Sequence, residues 1–133
     1  MLLEDPISTS IQGCGNVAVL AVRGDIDMTS ASAFKSAIAE ALAGGPQALV
    51  LDLLEVEFFG SVGVRVLIEA QEKVGDGDRF AVVAHGSAAS RILQLVHLDE
   101  LLSVHETVED ALSSVTAGAR EMRNAAPNQQ RGR

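Results

Sequence analysis

The stretch Ala48–Gly63, ALVLDLLEVEFFGSVG, decides how this chain folds. Its first six residues, Ala48–Leu53, form an almost unbroken apolar run. Such a run is typical of a strand buried on both faces, as in a parallel sheet covered by helices. Gly60-Ser61-Val62-Gly63 then breaks the extended pattern, and apolar residues recur at helical spacing from Val62. The stretch therefore predicts a buried strand followed by a helix over 62–74 that ends at Gly75.

Strand and helix patterns alternate along the rest of the chain. Alternation on either side of QGCGN predicts a hairpin leading into an apolar strand that Gly24 ends. Three further helices are predicted: one capped by Asp27 or Thr29, one capped by Ser87 and one capped by Thr107. The residues predicted to face inward are Ala31, Phe34, Ile38 and Leu42 in the first of them and Ala89, Ile92, Leu93 and Val96 in the second. Two further strands are predicted over Arg79–Ala84 and Leu101–Val104. This order predicts an α/β fold: a mostly parallel sheet of four or five strands with an N-terminal antiparallel hairpin and about four helices.

The length and charge of the chain narrow the classes of function. We expect one domain over residues 1–119 and a disordered tail over 120–133. The net charge is −8, but residues 1–119 hold 17 acids against six bases. An acidic body of this kind is a poor binder of nucleic acid and suits basic protein partners better.

Location is predicted from the same composition. The chain has one cysteine, Cys14, and its N-terminus lacks the basic region of a secretory signal. No apolar run approaches the roughly 20 residues that cross a bilayer. We therefore expect a cytoplasmic protein that does not insert into membranes.

Ser61 lies where the predicted strand gives way to the helix. The first N–H groups of a helix have no partner within it, and the helix dipole favours negative charge there. A phosphate on Ser61 would be stabilised locally and would reverse the character of the surrounding surface. The position predicts a switch site.

The helix that follows Ser61 has two opposed stripes of residues. Gly63, Leu67, Ala70 and Val74 form the predicted core face, and Ser61, Arg65, Ile68 and Glu72 lie opposite, with Val64 beside them. Val64 and Ile68 extend an apolar strip away from Ser61, which favours a partner-docking face. Chance exposure of single aliphatic residues is the alternative explanation.

Asp25 and Asp27 lie in the predicted turn that follows the strand ended by Gly24. In a parallel sheet this turn opens on the same end as Ser61. Asp27 is more simply explained as a helix cap than as a group with direct chemistry. Asp25 has no capping role and is the better candidate for a surface contact.

With these residues in view, the chain resembles the STAS domain family, specifically its bacterial anti-sigma factor antagonists. The resemblance covers roughly residues 7 to 117 and rests on the order and spacing of three blocks. These are VRGDID, LVLDLLEVEFFGSVGVRVL, and FAVVAHGSAASRILQLVHLDELLSVHETVEDAL.

The resemblance implies a docking protein. Its partner would be an anti-sigma factor that also acts as its serine kinase, and a phosphatase would reset it. The family phosphosite has the pattern D-S-x-G; Ser61 and Gly63 match it, whereas Gly60 occupies the aspartate position. Three explanations stay open: the absent carboxylate removes a contact that positions the hydroxyl, its absence alters the partner interface, or Gly60 serves the backbone conformation before the helix. The candidate partner-binding residues are Asp25, Asp27, Gly60, Ser61, Val64, Arg65 and Ile68.

The sequence favours other classes of function less than it favours an anti-sigma factor antagonist. A STAS-type accessory subunit of a membrane transporter, binding its ATPase without phosphorylation, is the main alternative. An enzyme is disfavoured because His85, His97 and His105 lack metal-ligand spacing and Cys14 lacks a local histidine. Asp52 resembles the phosphorylated aspartate of a receiver domain, but the acidic pair and the lysine of a receiver are missing. We expect no catalytic residue, metal or cofactor.

Overall fold

The structure is a computed structural model that describes residues 7–74 and 79–115. In chain order its elements are β1 (Ile7–Cys14), β2 (Val17–Ile26), α1 (Ala31–Ala43), β3 (Ala48–Phe59), α2 (Ser61–Val74), β4 (Phe80–Val83), α3 (Ala88–Leu95), a 3₁₀ turn (Leu98–Glu100), β5 (Ser103–His105) and α4 over residues 108–115. The predicted helix end at Gly75, the domain boundary at 119 and the tail over 120–133 lie outside the described residues.

The five strands form one sheet in the order β1-β2-β3-β4-β5. β1 and β2 pair in antiparallel fashion through the two-residue turn Gly15-Asn16, where Gly15 has a φ of 65°. Glycine at the first turn position suits the tight hairpins that match strand twist. The pairs β2–β3, β3–β4 and β4–β5 are parallel. The predicted α/β class and the N-terminal hairpin are confirmed.

Alternate residues of the apolar strands supply two separate cores. Leu49, Leu51 and Leu53 of β3 face a large core to which α1, α2 and α3 contribute. Val50 and Ala48 face a smaller core closed by Ala111 and Val115 of α4. Helices therefore cover both faces of β3, which explains the continuous apolar run at its start.

β3 extends to Phe59, whereas the sequence predicts that it ends at Leu53. The pairing of β2 with β3 shifts by one residue between Ala21 and Arg23 and again between Gly24 and Asp25. Each shift adds a residue to β3, so its large-core residues fall three apart at Leu53, Val56 and Phe59. This spacing hides the strand from a search for strict alternation. Asp52 is also not at a strand end, and its Oδ1 accepts a hydrogen bond from the Leu54 N–H at 3.0 Å.

Other predicted boundaries need smaller corrections. β2 continues past Gly24 to Ile26, with Gly24 at a φ of 107°. β5 is Ser103–His105 rather than Leu101–Val104, because the Leu102 N–H still donates to the Leu98 carbonyl at 2.8 Å. Val96 is exposed rather than inward, since α3 ends at Leu95.

Two predicted caps are present. The Ser90 N–H donates to the Ser87 hydroxyl at 3.3 Å, and the Asp110 N–H donates to that of Thr107 at 3.0 Å. Each hydroxyl satisfies a backbone donor that the first helical turn leaves unpaired. Among the described residues, no helix combines the length and apolar character needed to span a bilayer.

Candidate functional site

The candidate site is built where β2 and β3 end side by side. Ile26 pairs with Phe59 in the parallel register, and the Gly60 N–H donates to the Ile26 carbonyl at 2.9 Å. The turn after β2 and the start of α2 therefore share one edge of the sheet. We call this surface, comprising residues 25–28 and 57–61, the carboxyl rim.

The turn after β2 is held by its own side chains. The Asp27 carboxylate accepts hydrogen bonds from the N–H and hydroxyl of Thr29 at 2.9 and 2.7 Å. The buried Ser30 hydroxyl donates to the Asp25 carbonyl at 2.7 Å and accepts from the Asp27 N–H at 3.0 Å. These bonds fix the path of the chain from the strand into the helix.

The predicted cap of α1 is corrected by this geometry. Ser30, rather than Asp27 or Thr29, occupies the N-cap position, and its side chain makes no capping hydrogen bond to the helix. Asp27 instead stabilises the turn that precedes the helix. The Thr29 hydroxyl is the largest cause of a lowered pKa for the Asp27 carboxyl, which is therefore ionised at neutral pH. Asp25 lies in β2, where it is exposed, rather than in the turn.

Ser61 is exposed and is the first residue of α2. The helix begins with a tight turn in which the Gly63 N–H donates to the Gly60 carbonyl at 2.9 Å. No acidic residue lies in the first turn, so the positive end of the helix dipole is not compensated there. The predicted placement of the Ser61 hydroxyl at the mouth of a helix agrees with this geometry.

Gly63 fixes how α2 approaches the sheet. A Cβ built on Gly63 would lie 2.7 Å from Cζ of the Phe59 ring, well inside van der Waals contact. The same ring packs edge-on against Phe34 of α1, with centroids 6.4 Å apart. The start of α2 therefore packs flat on the core only because residue 63 has no side chain.

Gly60 is not required by the backbone. Its φ lies outside the left-handed region that favours glycine. A Cβ at this position would meet Cε2 of Phe58 at 3.3 Å and the Ile26 carbonyl oxygen at 3.5 Å. Because Phe58 is partly exposed, its ring can shift by the few tenths of an ångström that would relieve this contact. Of the three explanations that the sequence leaves open, the conformational one is not supported.

The outward stripe of α2 is less apolar in the structure than the sequence indicates. Val64 and Ile68 are half-buried and pack against the large core. Val66, which lies between them in the sequence, is buried. Arg65 is exposed. Val64 and Ile68 therefore offer only part of their surface to a partner.

Two exposed apolar residues of the carboxyl rim were not predicted. Met28 is 86% exposed and Phe58 is 52% exposed. Met28 follows Asp27 directly, and Phe58 precedes the buried Phe59. Nothing in their sequence context distinguishes them from core residues, because Phe58 falls in a strand whose alternation is shifted twice.

Each histidine of the described chain has a polar neighbour other than Ser61. Nδ1 of His85 lies 3.7 Å from Oε2 of Glu106, and Nδ1 of His97 lies 3.6 Å from Oε2 of Glu100. Nε2 of His105 forms a hydrogen bond of 2.8 Å with the Ser103 hydroxyl. No hydrogen bond or ion pair found among the described residues joins any of them to Ser61. Residues 7–74 and 79–115 also contain no group of three His, Cys, Asp or Glu side chains able to hold a metal.

Comparison with known proteins agrees with this architecture. The STAS domain matches residues 8–111. The chain belongs to the STAS domain family. It is 42% identical over 118 residues to the anti-sigma-F factor antagonist RsfB of Mycobacterium tuberculosis, covering 89% of this chain and 97% of RsfB.

Solved structures of anti-sigma factor antagonists share the fold. A crystal structure of an anti-sigma factor antagonist from Mycobacterium paratuberculosis is 40% identical, with a TM-score of 0.79, covering 87% of this chain and 99% of that one. The unphosphorylated form of the anti-sigma factor antagonist SpoIIAA is 16% identical, with a TM-score of 0.63, covering 83% and 97% of the two chains. At that identity the likeness concerns the fold alone.

Proposed function

We propose that this STAS protein is an anti-sigma factor antagonist that docks an anti-sigma factor through its carboxyl rim and is switched by phosphorylation of Ser61. The observation that carries the proposal is the exposed Ser61 hydroxyl at the start of α2, in a chain 42% identical to an anti-sigma-F factor antagonist. Gly63 stands two residues later, as in the family phosphosite pattern.

Docking uses the unphosphorylated rim and the neighbouring face of α2. Asp25 and Arg65 are exposed and supply charged contacts, while Val64 and Ile68 supply the accessible part of their aliphatic surface. Occupation of the anti-sigma factor by this protein frees the sigma factor. These encounters take place in the cytoplasm.

Phosphorylation reverses docking through charge. A phosphate adds about −1.5 to −2 charges at neutral pH. It is stabilised locally by the uncompensated start of α2, but it stands on a rim that already carries Asp25 and Asp27. A partner surface that fits closely around the small neutral hydroxyl therefore excludes the larger, hydrated phosphate.

The phosphate comes from ATP, and a partner that acts as the kinase transfers it. We assign the transfer to the anti-sigma factor acting as an ATP-dependent serine kinase. A phosphatase then removes the phosphate and resets the switch. The protein itself is a regulatory binding module in this scheme.

The test is incubation with ATP and each small histidine-kinase-like ATPase encoded in the same genome, followed by mass mapping of the phosphate. We expect one phosphate on Ser61, and none on Ser61→Ala, which retains binding. Ser61→Asp is expected to bind the same ATPase at least about tenfold more weakly, since charge beside a docked surface costs affinity. Equal binding of Ser61→Asp and wild type would contradict the switch.

The same partner search tests the alternative class. An accessory subunit of a transporter needs docking but no phosphoserine. Recovery of an ATPase–permease complex in place of a small ATPase, with residue 61 unmodified, would overturn the antagonist assignment. Recovery of the small ATPase alone supports it.

A further inference from the structure

The carboxyl rim presents two apolar side chains that pack poorly on their own molecule. Met28 and Phe58 are 86% and 52% exposed, although the residues beside them, Ile26 and Phe59, are buried. The hydrogen bonds of Asp27 and Ser30 hold the turn that displays Met28. Pairing with Asp25 of β2 holds Phe58. The exposure of both side chains is therefore built into an ordered backbone.

Both side chains flank the proposed phosphosite. The Phe58 ring reaches to within 3.3 Å of the place where a Cβ on Gly60 would stand. Met28 lies two residues beyond Ile26, whose carbonyl accepts the Gly60 N–H at 2.9 Å. Both apolar groups therefore belong to the same edge of the sheet as Ser61.

Three acidic residues neighbour the two apolar residues along the chain or across the strands. Asp25 pairs with Phe58 across the strands, Glu57 precedes it, and Asp27 precedes Met28. Of the ion pairs found within the described ranges, none includes these three residues; they join Arg23 to Glu55, Lys35 to Glu69, His85 to Glu106 and His97 to Glu100. Within the described chain the rim thus combines apolar centres with negative charge that no cation neutralises.

We infer that Met28 and Phe58 are the apolar anchors of the docking surface, and that the partner receives them in an apolar pocket bordered by lysine or arginine side chains. The inference rests on the proposed function and specifies its partner. Protein interfaces concentrate binding energy in a few large apolar or aromatic groups that become fully desolvated. Methionine and aromatic residues are enriched there, and complementary charges around them raise the association rate.

The arrangement also specifies how phosphorylation releases the partner. Ser61 follows Gly60 directly, and the Phe58 ring lies against Gly60, which carries no side chain to separate a phosphate from that ring. The hydrated phosphate must lose water before the ring can enter a pocket, and this opposes docking. Release therefore acts through the desolvation of a phosphate beside an anchor, and this cost exceeds the attraction between the added charge and the basic border of the pocket.

The first experiment measures affinity for the ATPase recovered in the partner search, using Met28→Ser and Phe58→Ser. Leu101→Ser is the matched control, because Leu101 is 62% exposed and lies on the turn before β5, away from the rim. We expect each rim variant to bind at least about tenfold more weakly and the control to bind within about twofold of wild type. Unfolding midpoints verify that all three variants remain folded. Wild-type affinity in both rim variants, or an equal loss in the control, would overturn the inference.

The second experiment tests the charged border. The double substitution Asp25→Asn with Glu57→Gln is expected to lower the association rate at low salt and to flatten its salt dependence. Glu109→Gln, an exposed acid on α4, is the control and is expected to keep the wild-type dependence. An unchanged salt dependence in the double variant would overturn the basic character assigned to the partner.

Failure of this inference is distinguishable from failure of the proposed function. If the wild-type protein binds none of the small ATPases, the antagonist assignment itself fails. If wild type binds and both serine variants bind equally well, the assignment stands and the anchor assignment falls.

Discussion

At Gly63 the absence of a side chain sets the geometry of the switch region. A Cβ there would approach three atoms of the Phe59 ring at 2.7 to 3.0 Å. Because Phe59 also packs on Phe34, the ring cannot move without disturbing α1. The glycine of the family pattern therefore has a packing role in this chain: it brings the start of α2, and with it Ser61, down onto the end of β3.

Gly63→Ala is accordingly expected to destabilise the protein by about 1–3 kcal/mol, the usual cost of overpacking a core. Urea unfolding measures the change. Gly13→Ala is the control, because nothing lies within 4 Å of a Cβ at position 13. A Gly63→Ala variant as stable as the control would show that the Phe59 ring adapts freely.

Single residues also mark the limit of what the sequence predicts. The exposure of Ser61 follows from local rules, since a hydroxyl after a glycine at a strand-to-helix change has little to bury it. Met28 and Phe58 do not follow from such rules. Whether a methionine or phenylalanine is exposed depends on which distant residues cover it, and here the chain turns so that none does.

Among the elements, β3 departs most from its predicted form. Its first six residues were recognisable because both faces are covered by helices. The second half was not, because two register shifts place buried residues at Leu53, Val56 and Phe59. A spacing of three fits neither a regular strand nor a regular helix, so the sequence alone gives no period to detect. The helices, with their caps at Ser87 and Thr107, were predicted more closely.

The junction of β3 with α2 yields a prediction about Gly60. Its backbone accepts any residue, and the Phe58 ring can move aside. Gly60→Asp is expected to fold with wild-type stability, because aspartate suits the position before a helix. If the family aspartate positions the hydroxyl, the variant is phosphorylated on Ser61 faster than wild type.

The initial rate of phosphate incorporation measures this effect, with Gly13→Asp as a control for added charge. A folded Gly60→Asp variant that is phosphorylated no faster than wild type would show that a carboxylate at this position has no positioning role. The docking surface would then be sufficient for transfer.

At the scale of the whole molecule, the sheet gathers the functional groups at one edge. The two parallel strands end together, so residues 25–28 and 57–61, distant in sequence, form one surface. The topology followed from the order of the elements, because parallel strands joined by helices must align their carboxyl ends. The half-buried state of Val64 and Ile68 did not follow from it, because it depends on how closely α2 approaches the core.

The negative charge of the molecule also favours docking of a basic partner at the carboxyl rim. Residues 1–119 carry 17 acids against six bases, and a field of this sign attracts basic partners over several ångströms at low salt. The acids near the rim are not neutralised by ion pairs within the described chain, unlike Glu55 and Glu69. The long-range attraction of a basic partner and its anchoring on Met28 and Phe58 therefore both favour binding at the carboxyl rim.

The most direct test of the carboxyl rim as the docking surface is residue-by-residue chemical-shift mapping. The ¹⁵N-labelled protein is titrated with the small ATPase that it binds. We expect the largest perturbations at Asp25–Ser30 and at Phe58–Ile68, with little change along β1 or over residues 108–115. Perturbations centred on β1 or on α4, with the rim unchanged, would contradict the account.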